Sequence, residues 1–94
     1  MSATRTVRLR IEGRVQGVGY RMFVECNAAA LGIDGWVRNR RDGGVEAVIA
    51  GTPAAVEEVI ERCHAGPGGA RVDRVEVLTE TGAVDPGFTV RPTM

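Results

Sequence analysis

Apolar and polar residues alternate near the start of the chain, where Val7, Leu9 and Ile11 are separated by charged or polar side chains. This period of two is typical of a β-strand with one buried face and predicts the first strand. Further along, the spacing changes to three and four residues, which predicts an amphipathic helix. The stripe of that helix consists of Tyr20, Phe23, Val24, Asn27, Ala28 and Leu31.

A hairpin and a second helix are predicted next. Strands are expected at residues 33–39 and 45–50, because Asp42-Gly43 between them is a strong hairpin signal. Thr52-Pro53 is a good helix start, since Thr can cap free amides and Pro is tolerated at the first helical position. The apolar face of this helix consists of Val56, Val59, Ile60 and Cys63.

The last part of the chain predicts two more strands. A fourth strand is expected from about residue 71 to 79, with a bulge between Val72 and Val75, where the apolar alternation slips. Phe88 and Val90 predict a short fifth strand. Two helices cover both faces of such a sheet poorly, so both are expected on one face. The predicted fold class is α+β, a two-layer ferredoxin-like sandwich (βαββαβ plus a short fifth strand) with a mainly antiparallel sheet.

Composition narrows the class of protein. The 94 residues, 44% of them hydrophobic, suit a single domain over residues 1–94, with residues 1–5 as a flexible tail. Twelve basic and twelve acidic side chains cancel, which argues against nucleic acid or an anionic membrane as partner. No apolar run resembles a signal peptide or a membrane span, so we expect a cytoplasmic protein. We also expect a monomer, although no feature of the sequence specifies the oligomeric state. Cys26 and Cys63 are expected to be free thiols, with a disulfide between the helices as the less favoured alternative.

The segment from Gly13 to Arg21 joins the first strand to the first helix and contains three glycines. It lacks the Lys-Ser/Thr ending of a P-loop and the last glycine of the dinucleotide fingerprint, which disfavours a nucleotide ligand. Its amides can converge on one tetrahedral anion at the positive end of the helix, with Arg21 beside them. A tight turn followed by a solvated arginine is an equally good interpretation of this spacing alone.

Three ordered motifs resemble the acylphosphatase family. They are Gly13-Arg14-Val15-Gln16-Gly17-Val18-Gly19-Tyr20-Arg21, Leu31-Gly32-Ile33-Asp34-Gly35-Trp36-Val37-Arg38-Asn39 and Asp42-Gly43-Gly44-Val45-Glu46. The resemblance covers essentially the whole chain and implies hydrolysis of a small acyl phosphate to a carboxylate and phosphate, without metal or other cofactor. It implies that Arg21 binds the phosphoryl group and that Asn39 positions the attacking water. The loop residues expected to bind phosphate are Arg14, Val15, Gln16, Gly17, Val18, Gly19 and Tyr20.

The residue chemistry agrees with these roles. Fixed amides and a guanidinium stabilise the charge that phosphoryl transfer spreads over the equatorial oxygens, and an asparagine can accept a hydrogen bond from water. Trp36 is expected in the core and His64 at the end of the second helix. An RNA-recognition domain is disfavoured because the first and third strands lack aromatic residues. A catalytically idle anion-binding domain stays open.

Overall fold

The computed structural model describes residues 4–94 and contains five strands and two helices. The elements are β1 (Arg5–Arg14), α1 (Tyr20–Ala30), β2 (Asp34–Asn39), β3 (Val45–Gly51), α2 (Pro53–Ala65), β4 (Arg71–Thr79) and β5 (Phe88–Val90). The tail predicted over residues 1–5 falls mostly on residues 1–3, which lie outside the described residues, and β1 already begins at Arg5.

The five strands form one sheet in the order β4-β1-β3-β2-β5. Every neighbouring pair is antiparallel except β2 and β5, which run parallel. Both helices pack on one face of this sheet, as predicted, and the α+β sandwich with its short fifth strand is confirmed. β5 pairs with β2 at the edge of the sheet. Because the two strands are parallel, their carboxyl ends lie at the same end of the sheet. That end carries the candidate site.

The core lies between the helices and the sheet. The alternation predicted for β1 is confirmed, since Val7, Leu9 and Ile11 are buried. Each helix contributes its apolar stripe; the buried members are Tyr20, Val24 and Ala28 from α1 and Val56, Val59, Ile60 and Cys63 from α2. Thr52 caps α2 as expected, because its Oγ1 accepts a hydrogen bond from the Ala55 amide at 3.2 Å.

The bulge predicted in β4 is also present. Glu12 pairs with Arg74 but Gly13 pairs with Val72, so Asp73 is the extra residue in β4. The two backbones approach so closely there that a Cβ on Gly13 would come within 2.1 Å of the Arg71 carbonyl oxygen. A glycine is therefore required where β1 leads into the loop that follows.

The face of the sheet opposite the helices carries a cluster of charged side chains around Glu46. Glu46 is only 5% exposed and accepts hydrogen bonds from Arg8, from Arg38 at 2.9 Å and from Arg40 at 3.0 Å. Burial alone would raise the pKa of the Glu46 carboxyl, but the bonds from Arg38, Arg8 and Arg40 outweigh it and lower the pKa. We call Glu46 and these three arginines the Glu46 cluster.

Trp36 lies on this same open face, and its predicted place in the core is wrong. Its ring is half-buried, with the guanidinium groups of Arg8, Arg38 and Arg91 at 5.7, 4.7 and 4.6 Å from the ring centroid. Its neighbour Val37 points to the other face and is fully buried. Stacking against arginines gives the large aromatic side chain its cover in place of the core.

Candidate active site

The loop between β1 and α1 positions the start of the helix. Gly17 and Gly19 adopt left-handed backbone conformations, with φ of 74° and 79°. Residues that carry a side chain are disfavoured in this conformation. Gly19 is also the N-cap of α1, and no side chain caps the first amides of the helix. The first intrahelical bond at this end runs from the Phe23 amide to the Gly19 carbonyl oxygen at 3.0 Å. The amides of the first turn are thus available to an anion.

Arg21 lies on that first turn and is half-buried. It lines a cavity of about 310 Å³ that also contains Gly17, Gly19 and Asn39. Within residues 4–94, none of the ion pairs closer than 4.0 Å involves Arg21. The guanidinium therefore brings to the cavity a positive charge that is paired with no carboxylate of the described residues within 4.0 Å.

Asn39 reaches the cavity from the end of β2. It follows the buried Val37 by two residues, so the period of the strand turns its side chain toward the helices. Its backbone is held by the ladder with β3 and by a bond from the Met94 amide to its carbonyl oxygen, at 3.2 Å. Its Oδ1 atom is buried without a hydrogen-bond partner among the described residues. Such unpartnered buried acceptors are uncommon in proteins, so the hydrogen-bonding capacity of the Asn39 side chain is not used up by the fold.

Gln16 holds the loop against the β2–β3 hairpin. Its side-chain amide donates to the carbonyl oxygens of Arg40, at 2.7 Å, and Gly44, at 2.8 Å. Arg40 directly follows Asn39, so one side chain fixes the glycine loop relative to the strand end that carries Asn39. The Gln16 side chain is thereby directed to the hairpin, and it does not line the cavity.

Two buried side chains anchor the loop in the core. Val15 and Tyr20 are each 1% exposed, and the Tyr20 hydroxyl donates to the Cys63 carbonyl oxygen at 2.7 Å. Burial, together with the neighbouring Cys63, raises the pKa of Tyr20. The side chains of Val15 and Tyr20 are thus committed to packing, and only their backbones can face a ligand.

The predicted site residues are only partly brought together. Those that line the cavity are Val15, Gly17, Gly19, Tyr20, Arg21 and Asn39, whereas Arg14, Gln16 and Val18 do not. The cavity also contains Met22, Glu25 and Val90, which the sequence analysis missed. Glu25 could have been found, since it lies one turn beyond Arg21 on the same helical face, whereas Met22 is adjacent to Arg21 and no helical period places it at the site. Val90 depends on the placement of β5 beside β2, which no local pattern reveals.

A larger groove of about 460 Å³ lies between the hairpin and β4, but its charge is unsuited to an anion. Four carboxylates outnumber three arginines there; the residues are Glu12, Asp42, Asp73, Glu76, Arg10, Arg40 and Arg71.

Residues 4–94 include no group of three or more His, Cys, Asp or Glu side chains placed to hold a metal ion. Neither α1 nor α2 has the length and apolar content to cross a membrane.

Comparisons with known proteins point to one family. A family model described as acylphosphatase matches residues 7–90. An acylphosphatase of Rhizorhabdus wittichii is 51% identical over 87 residues, covering 93% of this chain and 88% of that protein. One of a Synechococcus strain is 47% identical over the full length of both chains. The solved structure of an acylphosphatase from Coxiella burnetii matches with a TM-score of 0.89 at 31% identity, covering 94% of this chain and 93% of that one.

Proposed function

The chain belongs to the acylphosphatase family and is an enzyme that hydrolyses acyl phosphates, and from this premise we propose how its own residues perform the reaction. The phosphoryl group binds to Arg21 and to backbone amides at the start of α1, and Asn39 positions the attacking water. The observation that carries this proposal is that one cavity contains Arg21, the glycines of the loop and Asn39, whose buried Oδ1 lacks a partner among the described residues.

Binding of the phosphoryl group uses charge and dipoles that are already in place. The free amides of the first helical turn and the positive end of the helix dipole attract the anion. The guanidinium of Arg21 adds a charge-assisted, fork-shaped contact that also orients the group. Because no carboxylate of the described residues pairs with Arg21, the phosphoryl group displaces no internal ion pair when it binds. The glycine loop therefore acts as a preorganised anion site.

Asn39 acts on the nucleophile. Its Oδ1 accepts a hydrogen bond from a water molecule and aims the water oxygen at phosphorus, in line with the bond that breaks. The water oxygen forms the new bond to phosphorus while the bond to the carboxyl oxygen breaks, and its electron pair leaves with the carboxylate. A proton of the water passes to the phosphate product or to solvent. A carboxylate is a good leaving group, so Asn39 needs no strength as a base.

The deciding experiment measures hydrolysis of acetyl phosphate and benzoyl phosphate by the purified protein, with and without a metal chelator. We expect turnover that the chelator does not reduce, because the stabilising charges come from Arg21 and the backbone. Turnover that is lost with chelator and restored by a metal ion would contradict this mechanism. A rate no higher than the spontaneous background would contradict the assignment of activity itself.

Asn39→Ala separates positioning of water from binding. We expect kcat to fall by about 10²-fold, the usual effect of removing one positioned polar group, while the inhibition constant of inorganic phosphate changes little. Asn27→Ala is the matched control, since Asn27 donates to the Phe23 carbonyl oxygen, accepts from Arg62 of α2 and does not line the cavity. Equal losses of kcat in both variants would sink the role of Asn39.

A further inference from the structure

We propose that this site selects acyl phosphates whose acyl group is apolar and uncharged, and that Met22, Val90 and Glu25 set the preference; the inference rests on the function proposed above. All three side chains line the cavity that contains Arg21 and Asn39. They are not needed to bind the phosphoryl group, which the loop and Arg21 already accommodate. They are thus the groups left to meet the acyl part of the substrate.

The first observation is the distribution of exposed apolar side chains. Among the described residues, large apolar side chains are exposed at only five positions: Met22, Val77, Leu78, Val90 and Met94. Two of the five, Met22 at 68% and Val90 at 41%, meet at this one cavity although they come from different elements. Single exposed apolar residues are ordinary, but two that converge beside a polar site form an apolar contact surface.

Regular backbone structure holds both side chains at the cavity. Met22 directly follows Arg21 in the first turn of α1. Val90 pairs with Val37 in the parallel β2–β5 ladder, and the next amide, that of Arg91, donates to the Val37 carbonyl oxygen at 2.8 Å. Both positions are fixed by regular structure, so the contact surface exists before a substrate binds. An apolar acyl group that enters the cavity is removed from water against it.

The second observation is the charge balance of the cavity. Arg21 and Glu25 are the only charged residues among those that line it, and they lie one turn apart on α1. A phosphoryl group already carries more negative charge than Arg21 can neutralise. A second anionic group on the acyl part would meet the Glu25 carboxylate with no further cation in the cavity. The site therefore disfavours acyl groups that carry a negative charge of their own.

The test compares three aromatic acyl phosphates with acetyl phosphate. Benzoyl and 4-methylbenzoyl phosphate present apolar groups, whereas 4-carboxybenzoyl phosphate adds an anionic group of similar size. In each variant, the ratio of kcat/KM for two substrates is compared with the wild-type ratio, so intrinsic differences in reactivity cancel. We expect Met22→Gln to lower the benzoyl-to-acetyl ratio by about threefold to tenfold, because it removes apolar contact.

A second valine, Val77, provides the matched control for Val90 in the apolar surface. Val90 and Val77 are both 41% exposed, but Val77 lies on β4 and does not line the cavity. Val90→Thr, which preserves shape, should lower the benzoyl-to-acetyl ratio, whereas Val77→Thr should leave it unchanged. Glu25→Gln should raise kcat/KM for 4-carboxybenzoyl phosphate about threefold relative to 4-methylbenzoyl phosphate, the size expected for one partly exposed charge.

The outcomes distinguish failure of this inference from failure of the function on which it rests. If all substrates are hydrolysed in an Asn39-dependent manner but the ratios are the same in every variant, the selectivity inference is wrong and the proposed mechanism stands. If no substrate is hydrolysed above background, the function itself fails. The inhibition constant of inorganic phosphate provides a further check, since phosphate has no acyl group and should bind the Met22 and Val90 variants as it binds the wild type.

Discussion

Arg8 and Arg21 lie on opposite sides of the sheet in contrasting surroundings. Arg8 points to the open face, where it donates to Glu46 and, at 3.0 Å, to Glu80, and its guanidinium lies 5.7 Å from the Trp36 ring centroid. Arg21 lines the cavity on the helix side and takes part in no ion pair within residues 4–94. The Arg8 guanidinium is thus engaged in ion pairs and aromatic contact within the protein, whereas the Arg21 guanidinium is available to a ligand.

The contrast shows what determines the use of an arginine in this fold. On the open face, Arg8 is paired with Glu46 and Glu80, and Arg38 and Arg40 are paired with Glu46, so removing a partner from these pairs destabilises the folded chain. The Arg21 guanidinium has no such partner among the described residues, so it is available for binding. Changes in the Glu46 cluster should therefore affect stability, and changes at Arg21 should affect activity.

The largest effect is expected for Arg21→Gln. We predict a fall in kcat/KM of about 10³-fold, because the phosphoryl group loses its only cationic contact in the cavity. The midpoint of urea unfolding should change little. Steady-state kinetics with benzoyl phosphate and denaturation monitored by the fluorescence of the single Trp36 measure the two properties on the same samples.

Arg8→Gln is the control that tests whether the two faces of the sheet differ in function. It removes a bonded and stacked guanidinium, so its unfolding midpoint should fall while kcat/KM stays within about twofold of the wild type. If Arg8→Gln lost activity as severely as Arg21→Gln, the two faces would not be functionally separate.

Glu46→Gln is expected to have the next largest effect, on stability alone. It leaves three arginines around a neutral amide, and since their side chains are 17–33% exposed, we expect a loss of about 2 kcal/mol rather than the full penalty of a deeply buried pair. Thermal unfolding should shift downward by on the order of 10 °C. Glu57→Gln breaks the exposed pair with Arg5 and should shift the transition by no more than about 2 °C.

Acid should remove the contribution of Glu46. Its pKa is lowered in the folded protein, so the stabilisation is fully present above the unfolded-state value of about 4.3 and is lost as the pH falls through the folded-state pKa. The difference in free energy of unfolding between wild type and Glu46→Gln should therefore shrink as the pH is lowered from about 5 toward 2. Urea titrations at several pH values measure this difference. A gap independent of pH would show that the charge of Glu46 contributes nothing.

Local patterns were enough to predict most of the fold. The alternation in β1, the helical stripes and the slip in β4 each depend on neighbouring residues, and the structure bears them out. The core position predicted for Trp36 is wrong because it was based on the aromatic side chain alone and not on the alternation of faces along β2. Gly35 and Val37 point inward there, so the strand period turns Trp36 outward, and the arginines that cover it come from β1, β2 and the segment after β5.

The part of the candidate site that lies within one continuous segment of the sequence could be predicted. The glycines and Arg21 lie within one motif, and Asn39 could be placed opposite them only through the family resemblance. Val90 and the bond from Gln16 to the hairpin both join segments distant in sequence, at separations that no period predicts. Contacts of this kind depend on strand order, and the position of β5 beside β2 was open until the sheet was known.

A smaller effect than that of Glu46→Gln is expected for the anchor of the glycine loop, and it tests whether the two sides of the sheet are independent. Tyr20→Phe leaves the buried Cys63 carbonyl without its hydroxyl donor, which should lower the free energy of unfolding by about 1 kcal/mol. Tyr20 shares no hydrogen-bond partner with Glu46, so the losses in the Tyr20→Phe/Glu46→Gln double variant should add within about 0.5 kcal/mol. Urea unfolding of the wild type, both single variants and the double variant completes the cycle. A coupling above about 1 kcal/mol would mean that the sheet transmits strain between its two faces, and the division between a stabilising face and a binding face would have to be abandoned.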